Sequence, residues 1–367
     1  MSRIAILGAG GFVGARFVEL AVAGQTLEVT PVVRSGRSLA RLSRFGVAHK
    51  TADVSRVESL RPAISGCEVI VNLTTGEPPE MAANTKAICE ACEAERARLL
   101  IHISSAEVFG RVDDPHLSDD SPPDLGHWMA YARGKGRAEA VLQAQMPRVS
   151  FPIVVLRPGL IWGPRSSWAA GAAQDLMEER AFLLDEGKGI CNLMFVDNLI
   201  RSIIGVIGHP TRPSGFYNVA DNEEVTWADY YRELAHRLNL AFQKITFLPR
   251  AEYVPSLIDH LREFRESKAM SRLNRLIPVE ARPIMEDQVR RALSLLRFRK
   301  AKTSAGPRIT RTLWHLQLTR HRLPTEKFKQ TFGAHNHYTF LQAMERTCQW
   351  LRFAGFALPS EVGGRLA

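Results

Sequence analysis

Three glycines, Gly8, Gly11 and Gly14, lie three residues apart, directly after a short apolar segment and at the start of an apolar helical one. Glycine at the first position allows a tight turn, and the missing side chains let the backbone approach a pyrophosphate group. The N-terminus of the following helix adds free N–H groups and the positive end of its dipole. A glycine-rich turn without a ligand is the alternative, but the strand before the loop and the helix after it favour dinucleotide binding.

Beyond this loop, short apolar segments alternate with helical patterns through the first 160 or so residues. Such alternation predicts a parallel sheet that is covered by helices on both faces. We therefore predict an α/β fold: a Rossmann-type doubly wound parallel sheet with a smaller, mostly helical C-terminal substrate domain. The predicted strands cover 3–7, 29–33, 49–52, 68–73, 99–103 and 153–156, and the predicted helices cover 12–23, 38–45, 57–64, 82–94 and 131–145.

The order of the elements changes near residue 161, and a length of 367 residues suits two domains at roughly 150 residues each. The predicted boundaries are 1–165 for the dinucleotide-binding domain, to which 190–222 returns, and 166–189 with 223–367 for the substrate domain. A basic helical insertion at 255–323 belongs to the second domain. Near the end of the chain, we expect two short helices within 325–355.

The end of the second predicted strand distinguishes NAD from NADP. An acidic residue there would accept hydrogen bonds from a free ribose 2′-hydroxyl, whereas this chain has Arg34 and Arg37. A guanidinium can bind a 2′-phosphate through two hydrogen bonds, and a carboxylate would repel it. The sequence therefore favours NADP, although NAD stays open because Arg34 can instead stack on the adenine. Asp53, after the third strand, is placed to bond the adenine amino group.

Tyr131 and Lys135 are four residues apart in a predicted helix, so they lie on the same face. A phenol, whose usual pKa is about 10, is a poor base at neutral pH. A neighbouring ammonium favours the phenolate and can also hold the nicotinamide ribose. Ser104 and Ser105, at the end of the fifth strand, supply hydroxyls for a substrate oxygen. Together with the glycine loop, these residues outweigh the alternative of an exposed Tyr–Lys neighbour pair.

With these motifs, the sequence resembles the extended short-chain dehydrogenase/reductase family, in its NAD(P)-dependent epimerase/dehydratase branch. The resemblance runs through most of the chain and is specific for the family but not for a substrate. Phe109 departs from it, because a Tyr is usual at that position. The matching segments are GAGGFVG at 8–14, ADV at 52–54, SSAEVFG at 104–110, YARGK at 131–135, LRPGLIWGP at 156–164, FVDN at 195–198, FYNVADNEEVTWADY at 216–230, EKFKQTFG at 326–333 and ERTCQWLRFAGF at 345–356.

The resemblance implies a role for several residues. Ser105 would polarise the substrate oxygen, Tyr131 would act as acid and base, and Lys135 would assist. Glu107 occupies the position of a second base in dehydratases and decarboxylases of the family. Because Ala106 stands where such dehydratases carry an acid, elimination across a sugar ring is called into question. The implied cofactor-binding residues are Gly8, Gly11, Phe12, Val13, Gly14, Arg34, Arg37, Asp53, Val54, Tyr131, Lys135 and Pro158.

We therefore predict an enzyme, an NAD(P)-dependent oxidoreductase or epimerase that transfers a hydride at a carbinol carbon of a nucleotide-linked sugar. A first alternative keeps the chemistry but takes a membrane-borne lipid, isoprenoid or sterol alcohol, because 307–323 faintly resembles sterol and lipid dehydrogenases of the family. A second alternative is a non-catalytic dinucleotide-binding interaction protein. The intact Ser, Tyr and Lys argue against it, since a sensor does not need them.

Positive charge is concentrated in one segment. The chain has 48 Lys and Arg against 38 Asp and Glu, which gives a net charge of +10. Residues 250–330 hold 19 basic and 8 acidic side chains, or +11, so the remainder sums to −1. Basic helices with Leu257, Leu261 and Phe264 at helical spacing fit an anionic membrane surface. The alternatives are a solvated helical face, a substrate lid and a partner-binding face.

Composition limits the remaining classes of function. The five cysteines, with Cys89 and Cys92 as a lone CxxC, are too few and too scattered for a disulfide scaffold or a zinc site, so we expect no metal. We expect neither a signal peptide nor a membrane span, since no apolar run reaches about 18 residues. The prediction is a cytoplasmic homodimer with a small-molecule substrate and no nucleic acid. Peripheral contact with the inner face of a membrane would involve the basic insertion.

Overall fold

The computed structural model describes residues 3–24, 27–255, 306–334 and 337–357. Its strands are β1 (Arg3–Leu7), β2 (Glu28–Val33), β3 (Lys50–Thr51), β4 (Val69–Asn72), β5 (Leu99–Ile103), β6 (Ile153–Pro158), β7 (Leu160–Trp162), β8 (Phe182–Leu184), β9 (Leu193–Phe195), β10 (Gly215–Val219) and β11 (Thr246–Leu248). Its α-helices are α1 (Phe12–Gly24), α2 (Val57–Ile64), α3 (Met81–Ala94), α4 (Ala130–Gln145), α5 (Ser167–Met177), α6 (Val196–Gly208), α7 (Trp227–Arg237), α8 (Arg311–Gln317), α9 (Glu326–Phe332) and α10 (Phe340–Phe353).

Seven strands form one parallel sheet in the order β10-β6-β5-β4-β1-β2-β3. The strand order reverses at β1, which has β2 on one side and β4 on the other. In sheets of this kind a crevice opens at the carboxyl ends of the strands around that point, and ligands bind there. The arrangement confirms the predicted Rossmann-type doubly wound sheet.

The central strands are apolar on both faces because helices cover both sides of the sheet. In β1, Ile4 belongs to the core cluster shared with α1 and α6, whereas its neighbour Ala5 belongs to the cluster shared with α2 and α3. Every residue of β5 is buried, including its one polar member, His102. The ends of these strands are therefore held rigidly from two sides.

Most predicted elements lie within a few residues of the observed ones, but the helix predicted at 38–45 is wrong. That segment forms two 3₁₀ turns, Gly36–Arg41 and Ser43–Phe45. Leu39, Leu42 and Phe45 reach the core at intervals of three residues. This spacing fits the three-residue turn of a 3₁₀ helix better than the α-helical period.

The elements after β6 are mostly helical, and the two helices predicted within 325–355 are confirmed as α9 and α10. Both α7 and α10 begin with a capping box, formed by Thr226 with Asp229 and by Thr339 with Gln342. The chain nevertheless returns to the large sheet, because β10 pairs with β6. Two small parallel pairs, β7 with β9 and β8 with β11, complete the strands.

Much of the predicted basic insertion, 256–305, lies outside the described residues, and so do Leu257, Leu261 and Phe264. The membrane contact that we expect of this segment therefore stays a prediction. Among the helices of the described part of the chain, none is both long and apolar enough to cross a membrane.

Candidate functional site

The glycine loop joins β1 to α1 at the point where the strand order reverses. Gly8 has a φ of +81°, and a Cβ there would lie 3.1 Å from the carbonyl carbon of Leu73, the residue directly after β4. A Cβ on Gly14 would lie 2.7 Å from the Cα of Ala9 and closer still to the carbonyl oxygen of Gly8. Glycine is therefore required at both positions, so that α1 begins close against the strand end. The arrangement fits a dinucleotide, since the N-terminus of α1 opens onto the crevice.

Basic residues follow β2 beside this loop. Arg34 and Ser35 are exposed at the end of the strand, and Arg37 and Arg41 lie in the next 3₁₀ turn. Arg41, which the sequence analysis missed, donates from Nη1 to the carbonyl oxygen of Gly10 at 3.4 Å. The Arg41 guanidinium thus reaches the glycine loop from a turn about 30 residues later in the chain, and only the fold reveals the contact.

The remaining predicted cofactor residues differ in exposure. Asp53 accepts hydrogen bonds from the backbone N–H and the hydroxyl of Ser55, and these bonds hold its pKa below the ordinary value. Val54 is half-buried against the core, as are Phe12 and Val13 at the start of α1. Pro158 is buried at the end of β6. The structure brings the glycine loop and the end of β2 to one edge, with Asp53 beyond the end of β3.

Helix α4 carries Tyr131 and Lys135 to the same edge of the sheet. Gly134 lets the helix approach closely, since a Cβ there would lie 2.7 Å from the carbonyl oxygen of Pro78. Lys135 is buried, and its Nζ donates to the carbonyl oxygen of Ile103 at 2.7 Å and to that of Thr74 at 3.4 Å. Burial lowers the pKa of Lys135 to about 8, against the opposing effect of Glu139. The ammonium is thus fixed between the ends of β4 and β5.

The Tyr131 phenol is buried close to the Ser105 hydroxyl. Burial raises its pKa, a change that Ser105 partly opposes and Glu107 reinforces. Lys135 was predicted to favour the phenolate, but desolvation has the larger effect on the phenol. The phenol is therefore protonated at neutral pH and ready to donate a proton.

The two serines that follow β5 have different partners. Ser105 caps the 3₁₀ turn Ala106–Phe109, and its Oγ accepts from the backbone N–H of Glu107 at 3.2 Å. Ser104 is buried, and its Oγ donates to Glu139 Oε1 at 2.5 Å. Only Ser105 therefore offers its hydroxyl to the same space as the Tyr131 phenol.

A buried ion pair between Arg157 and Glu139 lies next to Ser104, at the end of β5. Arg157 on β6 donates to both carboxylate oxygens of Glu139, with the shortest distance 2.7 Å, and each side chain is 3 % exposed or less. The guanidinium lies 4.7 Å from the ring centres of Phe109 and Phe216. This pair was not predicted from the sequence. A carboxylate one helical turn after Lys135 and an arginine within an apolar strand indicate buried charge, although neither pattern specifies its partner.

Glu107 lies in the 3₁₀ turn after β5, close enough to the Tyr131 phenol to raise the pKa of that phenol. Burial raises the pKa of Glu107 to about 7, so the carboxyl exchanges its proton near neutral pH. The His127 Nε2 lies 3.8 Å from its Oε1. Ser105, Glu107, Tyr131 and Lys135 therefore form one compact group of hydroxyl, carboxyl, phenol and ammonium.

A second buried network lies behind Lys135. The backbone N–H and hydroxyl of Thr74 donate to Asn72 Oδ1, so the Asn72 amide donates to His102 Nδ1 at 2.9 Å. His102 Nε2 has no hydrogen-bond partner among the described residues. Asn72, His102 and Lys135 line a cavity of about 10 Å³, close to the size of one water molecule.

An ion pair outside this group connects α1 to α6. Arg16 on α1 forms a two-point ion pair with Asp197 on α6, with both N–O distances 2.7 Å. This pair fastens the helix that follows the glycine loop.

Cys89 and Cys92 are both buried and reduced. Across the described residues no group of three or more His, Cys, Asp or Glu side chains is arranged to hold a metal ion.

Comparison with known proteins supports the cofactor assignment. Residues 8–167 match the family model described as NAD(P)H-binding. A relative from Mus musculus, sterol-4-alpha-carboxylate 3-dehydrogenase, decarboxylating, is 23% identical over 95% of this chain and 90% of its own length. UDP-glucose 4-epimerase from Vibrio cholerae is 24% identical over 64% of this chain and 76% of its own.

The fold has a solved counterpart in dTDP-glucose 4,6-dehydratase from Bacillus anthracis, crystallised with NAD. It superposes with a TM-score of 0.67 at 16% identity and covers 96% of this chain and 97% of its own. At this identity the likeness shows the fold alone. The described chain therefore has an NAD(P)-binding domain in which the glycine loop and the Tyr131 group meet at one edge of the sheet.

Proposed function

Because the chain belongs to the extended short-chain dehydrogenase/reductase family, in its NAD(P)-dependent epimerase/dehydratase branch, we propose that it transfers a hydride at a carbinol carbon of a nucleotide-linked sugar. The observation that carries this proposal is the buried Tyr131 phenol close to the Ser105 hydroxyl, with the Lys135 ammonium held on the carbonyl oxygen of Ile103 at the end of β5. Proton transfer to a substrate oxygen needs such a pre-positioned phenol and hydroxyl.

The residues of the crevice fit the dinucleotide. Gly8, Gly11 and Gly14 leave room for a pyrophosphate at the start of α1, and Lys135 can reach a ribose. Bound NAD(P) supplies a hydride acceptor and donor at the carbinol carbon. We propose a preference for NADP, because Arg34 and Arg37 follow β2 where an acidic residue would favour NAD.

The protein's own side chains donate and accept the proton that accompanies hydride transfer. During reduction of a ketone, Tyr131 donates its phenolic proton to the oxygen, while the Ser105 hydroxyl donates a hydrogen bond to that oxygen. During oxidation, Tyr131 takes the proton back. Lys135 stabilises the phenolate through its positive charge, and its carbonyl contacts hold it in place. Glu139 and Arg157 keep the end of β5 and helix α4 together.

We assign Glu107 as a second acid/base. Its pKa of about 7 lets it gain or lose a proton at physiological pH, and it lies next to the phenol. Ala106 provides no acid beside it, which favours hydride transfer with or without epimerisation over elimination. In this assignment the substrate lies between a dinucleotide-binding domain, 1–165 with 190–222, and a substrate domain, 166–189 with 223–367.

A dehydrogenase of a lipid, isoprenoid or sterol alcohol is the second candidate function. The relative named for a sterol carboxylate aligns with 95% of this chain, whereas the epimerase relative aligns with 64%. The C-terminal elements thus have counterparts in the first relative over a greater length. We also propose that the protein forms a homodimer and that the segment 255–323 contacts an anionic membrane.

The test is turnover of purified protein with NAD⁺ or NADP⁺ against UDP- and dTDP-hexoses and against sterol and isoprenoid alcohols. Absorbance of the reduced nicotinamide and analysis of the sugar product report the reaction. Tyr131→Phe should abolish most turnover. Tyr217→Phe is the matched control, because the Tyr217 hydroxyl donates to the carbonyl oxygen of Pro213, two residues before β10. Turnover of alcohols but no nucleotide sugar would replace the first function by the second.

A further inference from the structure

His127 lies against Glu107 without forming a hydrogen bond in this structure. The distance between His127 Nε2 and Glu107 Oε1 is 3.8 Å, and the two side chains are 8 % and 18 % exposed. A movement of less than 1 Å would bring them to the usual N–H···O distance of about 2.9 Å. Few water molecules can compete for this contact, because both groups are largely shielded.

The backbone determines which imidazole nitrogen carries the proton. The N–H of Met129 donates to His127 Nδ1 at 3.1 Å, so Nδ1 is an acceptor. A neutral imidazole then carries its hydrogen on Nε2, the nitrogen that faces Glu107. His127 is neutral at pH 7 because burial lowers its pKa. The ring therefore presents a donor to the carboxyl and cannot accept its proton at Nε2.

The surroundings hold the ring in this position. Gly110 has a φ of +70°, and a Cβ on it would lie 3.1 Å from His127 Cδ2. The Arg133 guanidinium donates to the carbonyl oxygens of His127 and Trp128 at 2.5 and 2.7 Å. From α8, Arg311 lies 4.3 Å from the centre of the Trp128 ring. Glycine on one side and a braced turn on the other thus keep the imidazole beside Glu107.

We propose that His127 is a positioning residue for Glu107: its Nε2–H donates to the carboxylate when Glu107 gives up its proton, and so orients that carboxylate toward the Tyr131 phenol. No covalent step is involved, and the imidazole stays neutral throughout. This inference rests on the proposed acid/base role of Glu107.

A hydrogen bond to the charged form of a carboxyl favours ionisation. Removing it should therefore raise the pKa of Glu107 above that of the wild-type protein, in which the ionised carboxylate accepts the bond. Other groups that act on the pair must stay unchanged for this comparison. Those that act on the pair itself are Tyr131, Asp124, Arg133, Arg311 and His315, and Arg111 and Glu252 act on His315.

The experiment compares His127→Phe, which removes the donor, with His127→Gln, which keeps an amide N–H. Infrared difference spectra against pH report the Glu107 carboxyl, with Glu107→Gln identifying its band. We expect His127→Phe to raise the pKa by about one to two units, the scale of one hydrogen bond to a charged group. His127→Gln should restore most of this shift, and the exposed His116→Gln is the control.

Nitrogen NMR of histidine-labelled protein, with His127→Gln for assignment, tests the tautomer directly. We expect a neutral His127 with its proton on Nε2 at pH 7. A proton on Nδ1, a charged ring, or an unchanged Glu107 pKa in His127→Phe would overturn the inference. Because no substrate is needed, these results are separate from turnover: wild-type protein that binds NAD(P) but turns over no carbinol substrate would refute the proposed function instead.

Discussion

Replacing Gly14 by alanine tests how the glycine loop is built. The added methyl group would lie 2.7 Å from the Cα of Ala9, and closer still to the carbonyl oxygen of Gly8, so backbone must move. Overpacking of this kind costs about 1–3 kcal/mol. If α1 shifts to relieve the contact, its N–H groups leave the pyrophosphate position. We therefore expect Gly14→Ala to weaken dinucleotide binding by about tenfold or more, together with a lower free energy of unfolding.

Gly171 on α5 provides the matched control, because a Cβ there would meet no atom within 4 Å. Alanine stabilises a helix interior by about 0.5–1 kcal/mol over glycine, so Gly171→Ala should raise stability and leave dinucleotide binding unchanged. Calorimetric titration with NADP⁺ and urea unfolding measure both quantities. Wild-type affinity and stability in Gly14→Ala would refute the argument that close packing of α1 shapes the cofactor site.

Three further predictions concern charge and proton transfer. Arg34→Asp should weaken NADP⁺ binding by about tenfold or more and reverse the preference toward NAD⁺, because a carboxylate repels the 2′-phosphate. If wild-type protein and Arg34→Asp bind each dinucleotide with the same affinity, the assignment of Arg34 is contradicted. Tyr131→Phe should lower kcat by about 10²-fold or more with near-normal cofactor affinity; largely retained turnover would show that another group moves the proton. Burial raises the pKa of Glu107 from 4.5 to about 7, so the folded state binds this proton more tightly than the unfolded state and stability falls as pH rises between those values. At about 1.4 kcal/mol per unit, the loss of stability over this pH range is up to ~3.5 kcal/mol. In urea unfolding, Glu107→Gln should not show this loss; the same pH slope in both proteins would argue against a buried carboxyl.

Local signals in the sequence were enough to predict the sheet and the glycine loop. Gly8 and Gly14 are required by contacts with their immediate neighbours in the β1–α1 unit, so their spacing already carries the information. Tyr131 and Lys135 share a helix face, which is likewise a property of one element. The 3₁₀ turns at 36–45 were mistaken for a helix, because three apolar residues at intervals of three resemble an incomplete helical stripe.

Contacts between distant segments could not be predicted in this way. Arg157 and Glu139 are 18 residues apart, and Arg16 and Asp197 are 181 apart. Nothing in either local pattern specifies the partner, because pairing depends on how strands and helices are packed. The raised pKa of Glu107 has the same origin, since burial of a carboxyl is a property of the folded crevice.

The most direct test of the proposed function is the fate of one hydrogen atom. A nucleotide sugar deuterated at its carbinol carbon is mixed with the purified protein and NADP⁺ or NAD⁺, and the nicotinamide is analysed by mass spectrometry after rapid quenching. We predict that deuterium appears on the reduced nicotinamide in wild-type protein and that Tyr131→Phe slows its appearance. Protein that binds the dinucleotide but transfers no deuterium from any nucleotide sugar would contradict the proposed hydride transfer.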